Sequence, residues 1–457
     1  MDQDRRKFIS QSTFALAALA IVPSLLAACK KNYLSDDKKF TGKVIIVGAG
    51  IAGMYAAYLL KKQGAEVVIL EASSVYGGRI KRLSNFASFN IELGAEEVHG
   101  EKSVFYDLVR NSNASFITDV LNHLYYFNGS LKTETEATQN TFFNIVDELM
   151  LSFSDYSGSD ITAAAYANSE GVSDNVRHFF NAWVGNENGT DLSRIGMHGL
   201  READQRWSAG ENNFMLKDSD FLSIIEQQFQ EIIPLIRVEK PVSEINYSSS
   251  TVIVKCSDGE EFTTDKVIVT VPLSILQDGD ISFLPALPKE KILSFNRIGI
   301  DRGLKIIIKF DEMVWPANTG SIYGEGYVPE FWVTAGGGRS AMDFILTAFV
   351  MGEKAEYLSS LGEQMITTIL NELDVILGDV STHYVEHVIQ DWGNEPFIRG
   401  AYSYPKVGTG SAREIIAAPI GDNLFFAGEA THTQGHSATV HGAMETGLRA
   451  VLEIINV

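Results

Sequence analysis

Cysteine is nearly absent: the 457 residues hold two, Cys29 and Cys256. That count excludes a disulfide framework, a Cys-ligated zinc site and an iron–sulfur cluster. Basic residues are short too, with 37 Lys and Arg against 58 Asp and Glu, for a net charge of −21. Phosphate backbones repel such a surface, so nucleic acid is not an expected partner. Small cations are drawn to it. Beyond the N-terminus no apolar run approaches the ~20 residues of a spanning helix, which excludes a polytopic membrane protein. Charged residues at 21% and hydrophobic residues at 45% are ordinary globular usage, not that of a disordered chain or a coiled coil. No histidine spacing reads as a metal site: His383 and His387 stand four apart without an evident third ligand.

The first residues read as an address. Asp4-Arg5-Arg6-Lys7-Phe8-Ile9 precedes an apolar stretch from Phe14 to Ala28, which Pro23 breaks and which ends Leu26-Ala27-Ala28-Cys29. A twin arginine, a short apolar region and small residues before a cleavage point describe an export signal. The Leu-Ala-Ala-Cys ending resembles the bacterial lipoprotein box. The resemblance implies cleavage before Cys29, a lipid anchor on its thiol, and a protein on the periplasmic side of a membrane. Residues 1–29 are thus expected to be signal and 30–40 a polar tether.

Lys43-Val-Ile-Ile-Val47 is a β-branched run suited to a strand buried on both faces. Gly48-Ala-Gly50-Ile-Ala52-Gly53 follows at once, then an Ala- and Leu-rich helix pattern that Gly64 stops. A second strand, Glu66 to Leu70, ends at Glu71. In this strand–turn–helix–strand context the glycines read as a dinucleotide fingerprint. Gly48 permits the turn, Gly50 the approach of a pyrophosphate, and Gly53 close packing of helix on strand. The helix N-terminus offers free N–H groups. Glu71 stands where a carboxylate takes ribose hydroxyls, with Ala52 and Ala72 beside the nucleotide.

The stretch Glu71-Ala-Ser-Ser-Val-Tyr-Gly77-Gly78-Arg79 resembles the Glu-Ala…Gly-Gly-Arg segment of the flavin-containing amine oxidase family. Four further blocks match in the family's order: Ile91 to Gly100, Asp265 to Leu276, Trp392 to Tyr404, and Leu424 to Arg449. In the last, Phe-Ala-Gly-Glu-Ala-Thr followed by His-Gly-Ala resembles the polyamine oxidase branch. The resemblance implies FAD, with Gly78 and Arg79 at its phosphates and Gly94 and Ala95 beside the ring. It implies Val242 at the adenine, Trp392 beside the flavin, Glu429 after Gly428 at the ribityl hydroxyls, and the helix opening near Val440 at the pyrimidine edge. Ala401 stands where the covalently flavinylated branch has cysteine, so the FAD is expected to be non-covalent.

The same resemblance implies that a lysine on the strand Gly303 to Phe310 holds a water at flavin N5. Lys305 and Lys309 share one face by the period of two, and register does not separate them; the family match falls on Lys305. Tyr402 matches one of two substrate-framing rings. The second position falls at Thr439, which is not aromatic, so Tyr323, Tyr327, Phe331 and Trp332 are candidates for that wall. His99 matches a tunnel residue. Glu97 replaces a tryptophan, and with Glu96 it could attract a cationic amine. Gly336-Gly-Gly338-Arg339 reads as a turn at the entrance lip.

The implied fold class is α/β: a Rossmann-like FAD domain (41–110, 236–290 and 388–457) interleaved with an α+β substrate domain (111–235 and 291–387), as in glutathione reductase-like flavoproteins. Residues 141–155 and 219–233 carry helical periodicity, and Ser257-Asp-Gly-Glu marks a hairpin between Thr251–Cys256 and Glu261–Thr270. The expected function is FAD-dependent oxidation of an amine to an imine, with oxygen or another acceptor taking the electrons. A dehydrogenase, desaturase or amino-acid oxidase on this fold is the alternative, and a flavin-binding protein without turnover a third.

Overall fold

The computed structural model describes residues 39–118, 121–150 and 152–456; the expected signal, Cys29 and nearly all of the tether lie outside them. Its first layer is a five-stranded parallel sheet ordered Leu424–Phe426, Lys266–Val269, Lys43–Val47, Glu66–Leu70, Ile236–Arg237. Such strands need apolar residues on both faces, and the run at 44–47 is buried throughout. Helices Ile51–Gln63 and Val440–Asn456 cover one face, where Ile46, Ile69 and Ile268 meet Met54, Leu60, Met444 and Val451. The two helices cross closely because residue 447 is glycine: a Cβ there would stand 2.5 Å from the Ala52 carbonyl.

Gly64 ends the first helix in the left-handed region at φ 95°, its N–H reaching the carbonyls of Leu60 and Lys61. The hairpin forms, with Val252–Cys256 antiparallel to Glu261–Thr264. The stretch expected to be one strand to Thr270 is split, however. Asp265 accepts from the Lys43 N–H at 2.8 Å, and the chain changes sheets there, so Lys266–Val269 joins the parallel layer.

The second region rests on a seven-stranded sheet ordered Tyr384–Asp391, Gly303–Phe310, Phe344–Met351, Glu330–Val333, Thr319–Tyr323, Asn122–Phe127, Ser130–Thr133. Short helices between 134 and 206 pack on one end of it around Phe143, Phe179 and Trp183. Residues 141–155 fold as a helix at Thr141–Met150 and a single turn at Phe153–Asp155.

Two expected boundaries move. The helix Phe221–Gln228 falls within the span expected for the substrate domain, yet Phe221, Ile224, Ile225 and Ile232 pack in the core of the parallel sheet. Phe295 and Ile298 likewise join the nucleotide-side core. Apolar periodicity specifies a buried face but not which sheet receives it. No helix among the described residues is long and apolar enough to cross a membrane.

Candidate functional site

One cavity of about 1990 Å³ runs from the glycine turn, between the two sheets, to the helical region. That exceeds the ~300–1,000 Å³ of an ordinary small-molecule pocket, as a dinucleotide plus a second ligand would require. Gly48, Gly50, Ala52, Glu71, Ala72, Gly78, Arg79, Gly94, Ala95, Val242, Trp392, Gly428, Glu429 and Val440 all line it; Gly53 does not. Gly53 sits behind the turn, where a Cβ would strike the Gly48 carbonyl at 2.2 Å. A Cβ on Gly50 would meet nothing within 4 Å and would project into the cradle. No side chain caps the helix that begins at Ile51, leaving its first N–H groups for an anion.

The Glu71 carboxylate braces this turn. It accepts the N–H of Ala49 at 2.7 Å on one oxygen and that of Ser73 at 2.9 Å on the other. Each oxygen keeps one acceptor position for a ribose hydroxyl. Burial pushes its pKa up, against those backbone bonds. Gly94 is required where it stands: a Cβ would lie 1.8 Å from the Arg79 carbonyl and 3.0 Å from the Trp392 ring. Trp392 is fixed by its own Nε1–H, which donates to the Leu93 carbonyl at 3.2 Å.

Glu429 departs from its expected role. Its Oε1 accepts from Arg79 Nη1 at 3.0 Å and the Ser403 N–H at 3.2 Å; its Oε2 accepts from Ser403 Oγ at 2.6 Å and the Ala438 N–H at 2.8 Å. All four acceptor positions are filled, so no ribityl hydroxyl finds one in this arrangement. Burial opposes its charge, but Arg79, Arg413 and these bonds outweigh it and hold its pKa low. Glu429 instead ties the loop before Tyr402 to the start of the last helix. Arg79 shares that task, donating also to the Ala401 carbonyl at 2.8 Å. Among the described residues no acceptor meets its Nε or Nη2, which leaves those donors for a phosphate.

Lys305 lines the cavity, whereas Lys309 turns to the Phe86 carbonyl and Glu386. The three N–H bonds of Lys305 go to the carbonyls of Glu92 (2.8 Å) and Gly94 (3.0 Å) and to Glu96 (2.6 Å), with the Trp332 ring 5.1 Å away. An ammonium has three donors, so the expected hold on a water would need one of these bonds to yield. Glu96 does not face the cavity as a free attractor of amines; Arg339 takes its other oxygen at 3.2 Å. Arg339 therefore belongs to no entrance lip. Its side chain is buried, and its Nε donates to the Leu216 carbonyl at 2.7 Å.

Tyr402 forms a wall, its hydroxyl donating to the Glu187 carbonyl at 2.9 Å. Thr439 forms no ring wall: its Oγ1 accepts the Gly442 N–H at 3.0 Å and caps the final helix. Of the alternatives, Tyr323 and Trp332 line the cavity. Phe331 is buried in the core behind the sheet, and Tyr327 stacks on Tyr357 outside. His99 lines the cavity and meets Asn213 Oδ1 at 3.0 Å. Glu97, more exposed, accepts from Asn213 Nδ2 at 3.2 Å.

Sequence reasoning missed the carboxyl pair of Glu330 and Glu187. Glu330 lies opposite Tyr323 across two strands, a buried acid inside Pro-Glu-Phe-Trp-Val, and that mismatch is a readable signal. Glu187 follows the turn Asn181–Asn186 and carries none. Both line the cavity, Glu187 with its side chain open to it. Burial, mutual repulsion and Glu97 push Glu187 well above the carboxylate range; burial raises Glu330, against its bonds to Ser321, Glu187 and Tyr323. The two carboxyl groups lie close enough to disfavour each other's charge when both are ionised.

Among the described residues, one group has the donor atoms for a metal: His432, His436 and Glu445, within 4.8 Å. The backbone N–H groups of Gln434 and His436 both donate to His432 Nδ1 (3.2 and 3.1 Å), and that of Ser208 donates to His436 Nε2 (3.3 Å). The ring protons are thereby placed on the nitrogens that face Glu445, at 2.7 and 2.8 Å. A cation would have to displace both. The group is a pin between the loop and the last helix.

Residues 235–455 match the model of flavin containing amine oxidoreductases, and residues 46–111 that of an NAD(P)-binding Rossmann-like domain. The chain is 29% identical to protein FLOWERING LOCUS D of Arabidopsis thaliana, over 92% of this chain and 56% of that protein. It is 25% identical to polyamine oxidase 3 of Oryza sativa subsp. japonica, over 91% and 90%. Of the first relatives it matches, it spans between a third and just over half of the length. In fold it resembles a putrescine oxidase solved with putrescine bound (TM-score 0.77, 19% identity, 92% of this chain and 100% of that one). It also resembles the cyclohexylamine oxidase of Brevibacterium oxydans (TM-score 0.75, 18% identity, 91% and 99%).

Proposed function

Because the chain belongs to the flavin containing amine oxidoreductases, whose cofactor is FAD, we propose that it oxidises small amines carrying a second positive charge. The fit to FAD rests on the open cradle at Gly50, the uncapped helix and the spare acceptors of Glu71. The glycine turn and Arg79 would hold its phosphates and Val242 would meet its adenine; all of them line the cavity. Bound FAD would supply a hydride acceptor for the carbon beside the amine nitrogen, with oxygen or another acceptor taking the electrons in turn.

The observation that carries the substrate reading is the carboxyl pair. Glu187 and Glu330, with Glu97, gather three acids around Tyr323 and Tyr402. A monocation would leave repulsion uncompensated there, whereas the far ammonium of a diamine or polyamine would offset it and give the carboxylates a donor. Tyr402 and Trp332 wall the reacting end, and Lys305 supplies a positive charge beside it. FAD is held without a covalent bond: position 401 is alanine, and Cys256 does not line the cavity.

Glu330→Gln tests this. It is expected to weaken putrescine or spermidine about tenfold or more, a loss of about 1.4 kcal/mol, while a monoamine binds within about twofold of wild type. Equal losses for both would remove the second-cation reading. We further propose export by the twin-arginine route and a lipid on Cys29, supported by Arg5-Arg6 and Leu26-Ala-Ala-Cys29. Labelled fatty acid should enter wild type and not Cys29→Ser.

A further inference from the structure

We propose that Glu96, clamped by Arg339, is a positioning residue that fixes Lys305 as a directed positive charge on the cavity wall. The inference rests on the amine-oxidising reading for its rate measurement but not for its second readout. The observation is a closed set of bonds. Glu96 is buried, with Lys305 Nζ 2.6 Å from one oxygen and Arg339 Nη1 3.2 Å from the other. Arg339 is itself held by the carbonyls of Leu216 (2.7 Å) and Thr334 (3.1 Å). Burial disfavours the Glu96 charge, yet the two cations outweigh it and hold its pKa low.

The other two acceptors of Lys305 are backbone carbonyls, at residues 92 and 94. The second is held in place because Gly94 packs against the Arg79 carbonyl and Trp392 with no room for a Cβ. Two cations and one anion leave a net charge of +1 in this buried triad. A lysine on a strand reaches many rotamers; here three fixed acceptors select one. Preorganised charge of this kind favours electron density arriving beside it without reorganisation. Glu96 and Arg339 need touch neither the substrate nor the cofactor in this role. They act through Lys305.

A double-mutant cycle separates this from a merely structural role. Four holoenzymes are compared: wild type, Glu96→Gln, Lys305→Met and the double variant. Two quantities are read: the limiting rate of anaerobic flavin reduction by putrescine, and the reduction potential of bound FAD with no amine present. Glu96→Gln is expected to lower the rate by ~10-fold or more in the wild-type background and by less than ~2-fold beside Lys305→Met. The potential should shift in the first background and not in the second. Equal effects in both backgrounds, or none in wild type, would overturn the proposal. Should Glu96→Gln not fold, Arg339→Lys runs the same cycle with the same criteria. If no amine reduces the flavin, the functional reading fails while the potential cycle still decides the role of Glu96.

Discussion

Glu92 shows what burial asks of a single side chain. One oxygen accepts the Phe221 N–H at 2.6 Å, the other has no partner among the described residues, and the residue is almost wholly enclosed. Burial, with Asp220 and Glu96 near, pushes its pKa up to about 8. An unfolded chain loses this proton near the ordinary value of 4.5. Between the two values the native state binds the extra proton, so stability falls as pH rises across that window. Glu92→Gln, neutral at every pH, should melt above wild type at pH 8 by about 1–3 kcal/mol, and the gap should close toward pH 5. A gap independent of pH would assign the effect to packing. The Glu187 and Glu330 pair has the opposite use for its proton. On the proposed reading a bound dication would replace it, so diamine affinity should rise as pH passes upward through about 7, where Glu330 ionises in the free protein. Titration calorimetry in buffers of different ionisation heat should show proton release.

The final helix shows what an element contributes. Thr439 caps its start, and Thr439, Val440 and Ala443 line the cavity. Thr439→Ala should cost about 1 kcal/mol in denaturant unfolding and Thr439→Ser should restore most of it; no loss would mean that the cap is replaced by solvent. At this scale the sequence was most informative where local chemistry and topology coincide. The strand–Gly48–Gly50–Gly53–helix unit, the Gly64 stop and the Thr251–Cys256 hairpin were legible because each rests on neighbours in the chain. The break at Asp265 was not, since it depends on Lys43 across the sheet. Glu429 and Thr439 were legible as positions but not as roles. Glu429 is engaged by Arg79, Ser403 and Ala438, and Thr439 by Gly442. Partners so distant in sequence, or so dependent on backbone direction, leave no periodic trace. Arg339 reads as part of an entrance turn because its glycines are visible in the sequence and its pairing with Glu96 is not.

For the whole molecule, the net charge of −21 and one continuous cavity act together. A cationic substrate is steered from a distance, so the second-order rate constant of flavin reduction by a diamine should fall as ionic strength rises past about 0.1 M. The limiting rate at saturation should not change. A salt effect on the limiting rate alone would place the charge dependence in the chemistry and not in the encounter. The most direct measurement is anaerobic mixing of the purified yellow protein with putrescine, spermidine and a monoamine of similar length, followed in the visible flavin band. Rapid bleaching by the two polycations, with weaker binding of the monoamine, is expected. A flavin that stays oxidised with every amine, or a protein that binds no FAD, would contradict it.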